Sequence, residues 1–329
     1  MNYIGSKQKL LPFLKDSIKQ VVGEDLSEKI FCDMFAGTGV VGKDFKNEVK
    51  KVISNDLEYY AYVLNRNYIQ NTEGIEGKKE YIQVLNSLHV KEDGFIYENY
   101  SQKSGRTYFS NFNAQKIDTI RVKIEELKQT KCISEDCYFF LLASLLESCD
   151  KVANTASIYS AFLKDLKKAA QQEMLLEGAC FETSQNTHEV YNEDSNKLIS
   201  KIEGDILYLD PPYNIRQYGS NYHILNTIAL YDKFIPQGKT GIREYHRSNY
   251  CKTKVVHQSF EELLKNANFQ YIFLSYSDEG FMSASDIKNI MKKYGKYELL
   301  KTDYRRFASH QKHTKNSTCE FLHVIEKKL

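Results

Sequence analysis

Two strand–helix pairs in succession near the start of the chain restrict its fold more than any other feature. Residues 30–35 read as a buried strand, Phe35-Ala-Gly-Thr-Gly39 turns the chain, and a helix starts near Val40. Lys51–Asn55 reads as a second strand; it ends at Asp56 and gives way to a helix carrying Tyr59, Tyr62, Val63 and Arg66. Such alternation builds a parallel sheet with helices on both faces. Ahead of it, Leu11, Leu14, Ile18 and Val22 step by three and four, which predicts a first helix with Ser6 as its cap.

The alternation stops between about Gln70 and Glu189. There the periodicity is mainly helical, with helices expected over 117–127, 137–146 and 160–170, whereas a simple crossover takes far fewer residues. Strand character resumes at 205–209, 271–275, 297–303 and 319–324, and the short polar stretch between the last two predicts an antiparallel pair at one side of the sheet. The expected fold class is α/β: a doubly wound, mostly parallel sheet formed by residues 1–70 and 190–329, with a mainly helical domain inserted over 71–189.

Composition narrows the setting. With 42% hydrophobic and 27% charged residues among 329, the chain has a globular rather than a disordered makeup. Its longest nearly apolar run, 138–146, is half of the roughly 18–20 residues a bilayer span needs, and the first ten residues hold no apolar signal segment. The expectation is a soluble, cytoplasmic protein with no membrane partner. Seven scattered cysteines without a C-x-x-C pair read as thiols in a reducing compartment, with no metal site. A formal net charge of +2 neither demands nor excludes nucleic acid.

Gly37, Gly39 and Gly42 complete a G-x-G-x-x-G match where a strand becomes a helix, and glycines there let the backbone approach a ligand facing helix amides. The pattern suits a dinucleotide fold, an S-adenosylmethionine fold, or merely a turn. Asp56 suits the two hydroxyls of a ribose in either cofactor; as a bland alternative, Asn55 and Asp56 both cap helices well. Asp210-Pro-Pro-Tyr213 is more telling, because it follows the apolar strand at 206–209 and should reach the same carboxyl edge. Two prolines fix φ and donate no hydrogen bonds, so the Asp210 carboxylate and the Pro211 carbonyl stay acceptors facing a cleft, beside the flat ring of Tyr213. Two acceptors and an aromatic plate receive a planar ring bearing an amino group, as a flipped base presents. A rigid turn with a capping carboxylate is the plainer alternative.

These residues resemble the DNA adenine methyltransferases of the amino-methylating class with D-P-P-Y signatures, over roughly 1–66 and 191–329. Tyr3-Ile-Gly-Ser-Lys7 looks like the family's N-terminal element, in which the aromatic ring and the lysine contact the cofactor. Asp33, Phe35, Gly37 and Gly39 match its glycine loop, and Asp56 the acid that binds ribose. Asp194 is similar to the acid near the cofactor adenine, with Glu193 a competing choice. The resemblance implies S-adenosyl-L-methionine as cofactor, Asp210, Pro211, Pro212 and Tyr213 as the catalytic element, and Asp210 also beside the cofactor. It implies double-stranded DNA as substrate, residues 71–189 as a target-recognition domain, and a possible cognate restriction endonuclease acting on the same site.

Arg216, Tyr218, Asn221, Tyr222 and His223, after the catalytic motif, are candidates for gripping the flipped nucleotide; Arg305 and Arg306, with Lys312 and Lys315 between the last two strands, are candidates for phosphate, with a solvated face as the plainer alternative. Lys164, Lys167 and Lys168, and the group Arg243, His246, Arg247, Lys252 and Lys254, are further basic stretches, each equally readable as a solvated face. Rival readings are an RNA amino-group methyltransferase, a nicotinamide dehydrogenase, and a DNA-binding module that only senses the cofactor.

Overall fold

The structure, a computed structural model, describes residues 5–304 and 318–327. The chain forms two compact units: one of Lys7–Leu57, Asn186–Gln217 and Arg247–Leu329, and one of Met1–Ser6, Glu58–Gln185 and Tyr218–His246. These boundaries differ from 1–70, 71–189 and 190–329. The helix Tyr59–Asn65 and the stretch after Tyr218 group with the insertion because they pair with each other: Asn226 accepts from the Tyr60 amide at 2.9 Å, and the rings of Tyr60 and Tyr222 lie 5.4 Å apart.

The first unit carries a seven-stranded sheet of β1 (Ile30–Asp33), β2 (Lys51–Asn55), β3 (Glu189–Tyr191), β4 (Glu203–Leu209), β5 (Asn268–Ser277), β6 (Gly295–Tyr304) and β7 (Thr318–Lys327), in the order β3-β2-β1-β4-β5-β7-β6. Strands β1 to β5 run parallel; β7 is antiparallel to both β5 and β6. The central strands are apolar on both faces, as strands covered by helices on two sides must be. Cys32, Leu207, Leu209, Ile272 and Leu274 pack with Phe260, Leu263 and Met291 from the helices Val256–Asn266 and Ala284–Met291. Phe31 stacks on Phe45, with ring centroids 4.4 Å apart. The helix Leu11–Val22 buries Leu11, Leu14 and Ile18, three of the four positions its periodicity selects, and leaves Val22 half-buried. Ser6 does not cap it. Leu10 occupies that position after a turn closed by Leu10 N–H to Lys7 O, and Pro12, second in the helix, has no amide proton to leave unpaired in its first turn.

The second unit is helical. Its long helices Asn111–Gln129 and Glu135–Val152 cover 117–127 and 137–146, both expected as helix. Two side chains one turn apart serve neighbouring helix ends. Asp118 accepts from the amides of Ile96 and Tyr97 at the start of Phe95–Tyr100, while Arg121 donates to the carbonyls of Ile228 and Ala229 at the end of His223–Leu230. The stretch 160–170 is not a helix, apart from the short turn beginning at Lys168. Buried Asn154 holds it in an irregular loop, donating to Thr107 O and Leu163 O and accepting from Lys167 N–H. Among the described residues no helix is long and apolar enough to cross a membrane.

Candidate active site

In an open sheet of this order, the crevice for a ligand lies at the carboxyl ends of β1 and β4, where the winding direction reverses. Asp33 ends β1, Asp56 follows β2 and Asp210 follows β4. Between β1 and the helix Val40–Phe45 the chain turns through Gly37 and Gly39, at φ +53° and +77°, conformations that side chains with a Cβ rarely adopt. The loop is tied to both neighbouring acids. Gly37 N–H donates to Asp56 Oδ2 at 2.7 Å, and Gly42 N–H to Asp33 Oδ2 at 3.2 Å. Asp56 therefore braces the loop, and the cap position of Tyr59–Asn65 belongs to Glu58.

Asp33 is 1% exposed, and among the described residues its Oδ1 has no hydrogen-bond partner. Burial pushes its pKa up, the Gly42 amide offsets part of this, and the negative charges of Asp210 and Asp56 add to it, reaching about 8. A buried, under-compensated acid at this edge is suited to a cationic ligand group.

Asp210 is met by Lys7, whose Nζ lies 3.1 Å from Asp210 Oδ1 and 3.0 Å from Glu320 Oε1. Burial drives the Asp210 pKa up, Lys7 pulls it down and Glu320 pushes it up, leaving it at about 6. For Lys7, burial favours loss of the proton, but the two carboxylates outweigh it and hold the ammonium charged. Near neutral pH Asp210 is thus mainly an anion and an acceptor. Glu320 was missed in the sequence, and its placement follows from strand direction. The parallel strands bring their last residues to this edge, and antiparallel β7 brings its first: Glu320 pairs with Ser277.

The motif's remaining residues are pinned by packing. Pro211 is buried and Pro212 half-buried. Tyr213 stands edge-on to Tyr276 at 6.2 Å, and its carbonyl accepts from Phe281 N–H at 3.0 Å. Phe35, half-buried, meets Tyr250 edge-on at 5.0 Å. The aromatic side chains on this rim are thereby held before any substrate arrives.

Other anticipated residues are placed as follows. Asp194 caps the short helix Ser195–Leu198 through the amides of Asn196 and Lys197, and Glu193 pairs with Lys201 at 2.5 Å. Arg216 is exposed, on a loop where Asn214 accepts its amide; Tyr218 is half-buried and stacked on Tyr222. Asn221, Tyr222 and His223 are interior, which corrects their reading as DNA contacts. The Asn221 carbonyl accepts from Tyr159 N–H, Tyr222 is fully buried, and His223 Nε2 lies 2.9 Å from Tyr159 O with burial holding its pKa down at about 4. Lys167 is engaged with Thr155 O, and Arg243 with Asp232. Tyr3, Arg305, Arg306, Lys312 and Lys315 lie outside the described residues.

S-adenosylmethionine brings a cationic amino-acid end, a sulfonium and a ribose. The residues present fit it: an orphaned buried oxygen on Asp33 for a cation, a side-chain-free turn at Gly37 and Gly39 for close approach, and a carboxylate at the end of β2.

Comparison with known proteins agrees with this chemistry. A family model described as D12 class N6 adenine-specific DNA methyltransferase matches residues 3–298. The chain is 56% identical to the Type II methyltransferase M.NlaIII of Neisseria lactamica over 333 residues, covering 99% of each. It is 37% identical to the Type II methyltransferase M.CviAII of Paramecium bursaria Chlorella virus 1, covering 99% of this chain and 98% of that one. To the Type II methyltransferase M.FokI of Planomicrobium okeanokoites it is 38% identical, covering 99% of this chain and 53% of that longer protein. The glycine loop, the D-P-P-Y rim and these matches together make the chain a member of the D12 class of N6 adenine-specific DNA methyltransferases, which uses S-adenosylmethionine to methylate the exocyclic amine of adenine in DNA.

Proposed function

We propose that Asp210 and the carbonyl of Pro211 accept the two N–H bonds of a target adenine amine rotated out of duplex DNA, while Tyr213 stacks on the base. The amine is a poor nucleophile because its lone pair is delocalised into the ring. Accepting both N–H bonds localises that pair on nitrogen and holds it in line for attack. S-adenosylmethionine, when bound, supplies an activated methyl group. Around it, Asp33 takes the cationic end, Gly37 and Gly39 admit the backbone approach, Asp56 takes the ribose, and Tyr3, Lys7 and Phe35 line the remainder, with Asp194 toward the adenine. Pro212 keeps the acceptor pair rigid.

On the substrate side, Arg216 and Tyr218 reach the DNA from the loop after the motif, and Arg305 and Arg306 take phosphates. The helical unit reads the target sequence. In this reading the enzyme modifies, in the cytoplasm, sites that a cognate endonuclease would otherwise cut; its likeness to proteins named Type II methyltransferases supports that reading.

The observation that carries this reading is the Asp210 carboxylate, held by Lys7 at the carboxyl edge beside β1. Asp210→Ala should lower transfer of labelled methyl groups to DNA by at least about a thousandfold, as loss of both positioning and electrostatics implies. Binding of S-adenosylmethionine, measured by calorimetry, should weaken by less than about tenfold. Activity within tenfold of wild type would overturn the assignment.

A further inference from the structure

Lys7 is shared. Its single ammonium meets two carboxylates at nearly equal distances, 3.1 Å to Asp210 and 3.0 Å to Glu320, with 10%, 21% and 13% of the respective side chains exposed. The arrangement is built: Ser275 on β5 donates its hydroxyl to Glu320 Oε1 at 2.6 Å, the oxygen that Lys7 also meets. One ammonium is thus divided between two carboxylates. Among the described residues, the other ionisable groups that Asp210 acts on are an acid and a phenol. Asp33 on β1 is an acid whose carboxyl feels the Asp210 charge, and the Tyr208 phenol on β4 is buried, with its ionisation opposed by burial and by Asp210.

We propose that Glu320 is a positioning residue for the reaction: by drawing off part of the Lys7 ammonium it keeps Asp210 a strong acceptor, and so sets the acid limit of methyl transfer. If Lys7 served Asp210 alone, the carboxylate would be held in place yet quenched, a weaker acceptor for the amine N–H bonds. If Lys7 were absent, the buried carboxylate would take up a proton near neutral pH and lose its acceptor role. Glu320 holds the balance between these extremes, resting on the assignment of Asp210 as the acceptor of the adenine amine.

The test is the pH profile of single-turnover methylation, followed from about pH 5 to 8.5 with the full-length enzyme, tritium-labelled S-adenosylmethionine and duplex DNA from a host without adenine methylases. Glu320→Gln preserves shape and removes the charge. It should move the midpoint of the acid limb down by roughly half to one pH unit, since a like charge has been lost, and lower the plateau rate by roughly two- to fivefold, since the acceptor is weaker. A uniform drop in rate with the midpoint unmoved, or a midpoint moved upward, would overturn the proposal. Should Glu320→Gln not fold, Ser275→Ala provides the opposite perturbation. Glu320 then leans harder on Lys7 and the midpoint should rise; an unmoved midpoint would again overturn the proposal. Asp210→Ala separates the two levels, because retained activity in that variant defeats the acceptor assignment itself, wherever the Glu320→Gln limb falls.

Discussion

Asp33→Asn should flatten the pH dependence of stability of the cofactor-free protein. The Asp33 carboxyl titrates at about 8 in the folded chain, against an ordinary value of 3.8. Its folded pKa is raised, so the folded state holds a proton that the unfolded state has released between those two values. The resulting stability is present when the group is protonated and is lost as pH rises from about 4 toward 8. Within that window the slope is about 1.4 kcal/mol per pH unit, so moving from about pH 5 to pH 7 costs wild type about 2–3 kcal/mol through this one residue. Asparagine keeps an acceptor for the Gly42 amide and carries no charge at any pH. Comparing the two proteins also largely cancels Asp210 and Asp118, whose pKa values are likewise raised, to about 6. The assay is urea unfolding followed by circular dichroism at several pH values, with stability taken from midpoint and slope. Wild type should lose the stated amount relative to Asp33→Asn. Parallel curves for the two proteins would refute the reasoning, because they would mean that Asp33 is charged throughout.

Tyr213→Ala should reduce kcat/KM roughly tenfold to a hundredfold, the equivalent of about 1–3 kcal/mol of base stacking, while Tyr213→Phe keeps both the ring and its edge contact with Tyr276 and should stay within a few-fold; steady-state methylation measures both. Asn154→Ala removes three side-chain hydrogen bonds from a fully buried position and should destabilise the protein by about 2–4 kcal/mol in urea unfolding; a loss below about 0.5 kcal/mol would show that the 160–170 loop does not depend on it.

Elements whose physics is local were legible from residue order. The strand–glycine–helix turn at Gly37 and Gly39, the acid after β2 and the rigid Asp210 motif all depend on neighbours within a few positions, and all reach the carboxyl edge. Features set by distant pairing were not. Glu320 reaches Lys7 only through the register of β7 on β5, which no local pattern records, although the expected antiparallel pair was a cue to inspect the first residues of its second strand. Strand β3 is three residues long and only half-buried, so it has no periodicity to detect. At 160–170 an apolar spacing suggested a helix, but Asn154 captured the backbone groups a helix would have used. The polar pair Tyr222 and His223 drew attention as substrate contacts, whereas the apolar run Ile224, Leu225, Ile228 and Ala229 beside them marks the buried helix to which they belong.

The most direct test of the central claim is the chemical identity of the labelled product. DNA from a host without adenine methylases is treated with the enzyme and tritium-labelled S-adenosylmethionine, digested to nucleosides and separated by chromatography. Label should appear in N6-methyldeoxyadenosine with the wild-type protein and disappear with Asp210→Ala. Label in a methylated cytosine, or an undiminished adenine product from the Asp210 variant, would contradict the account.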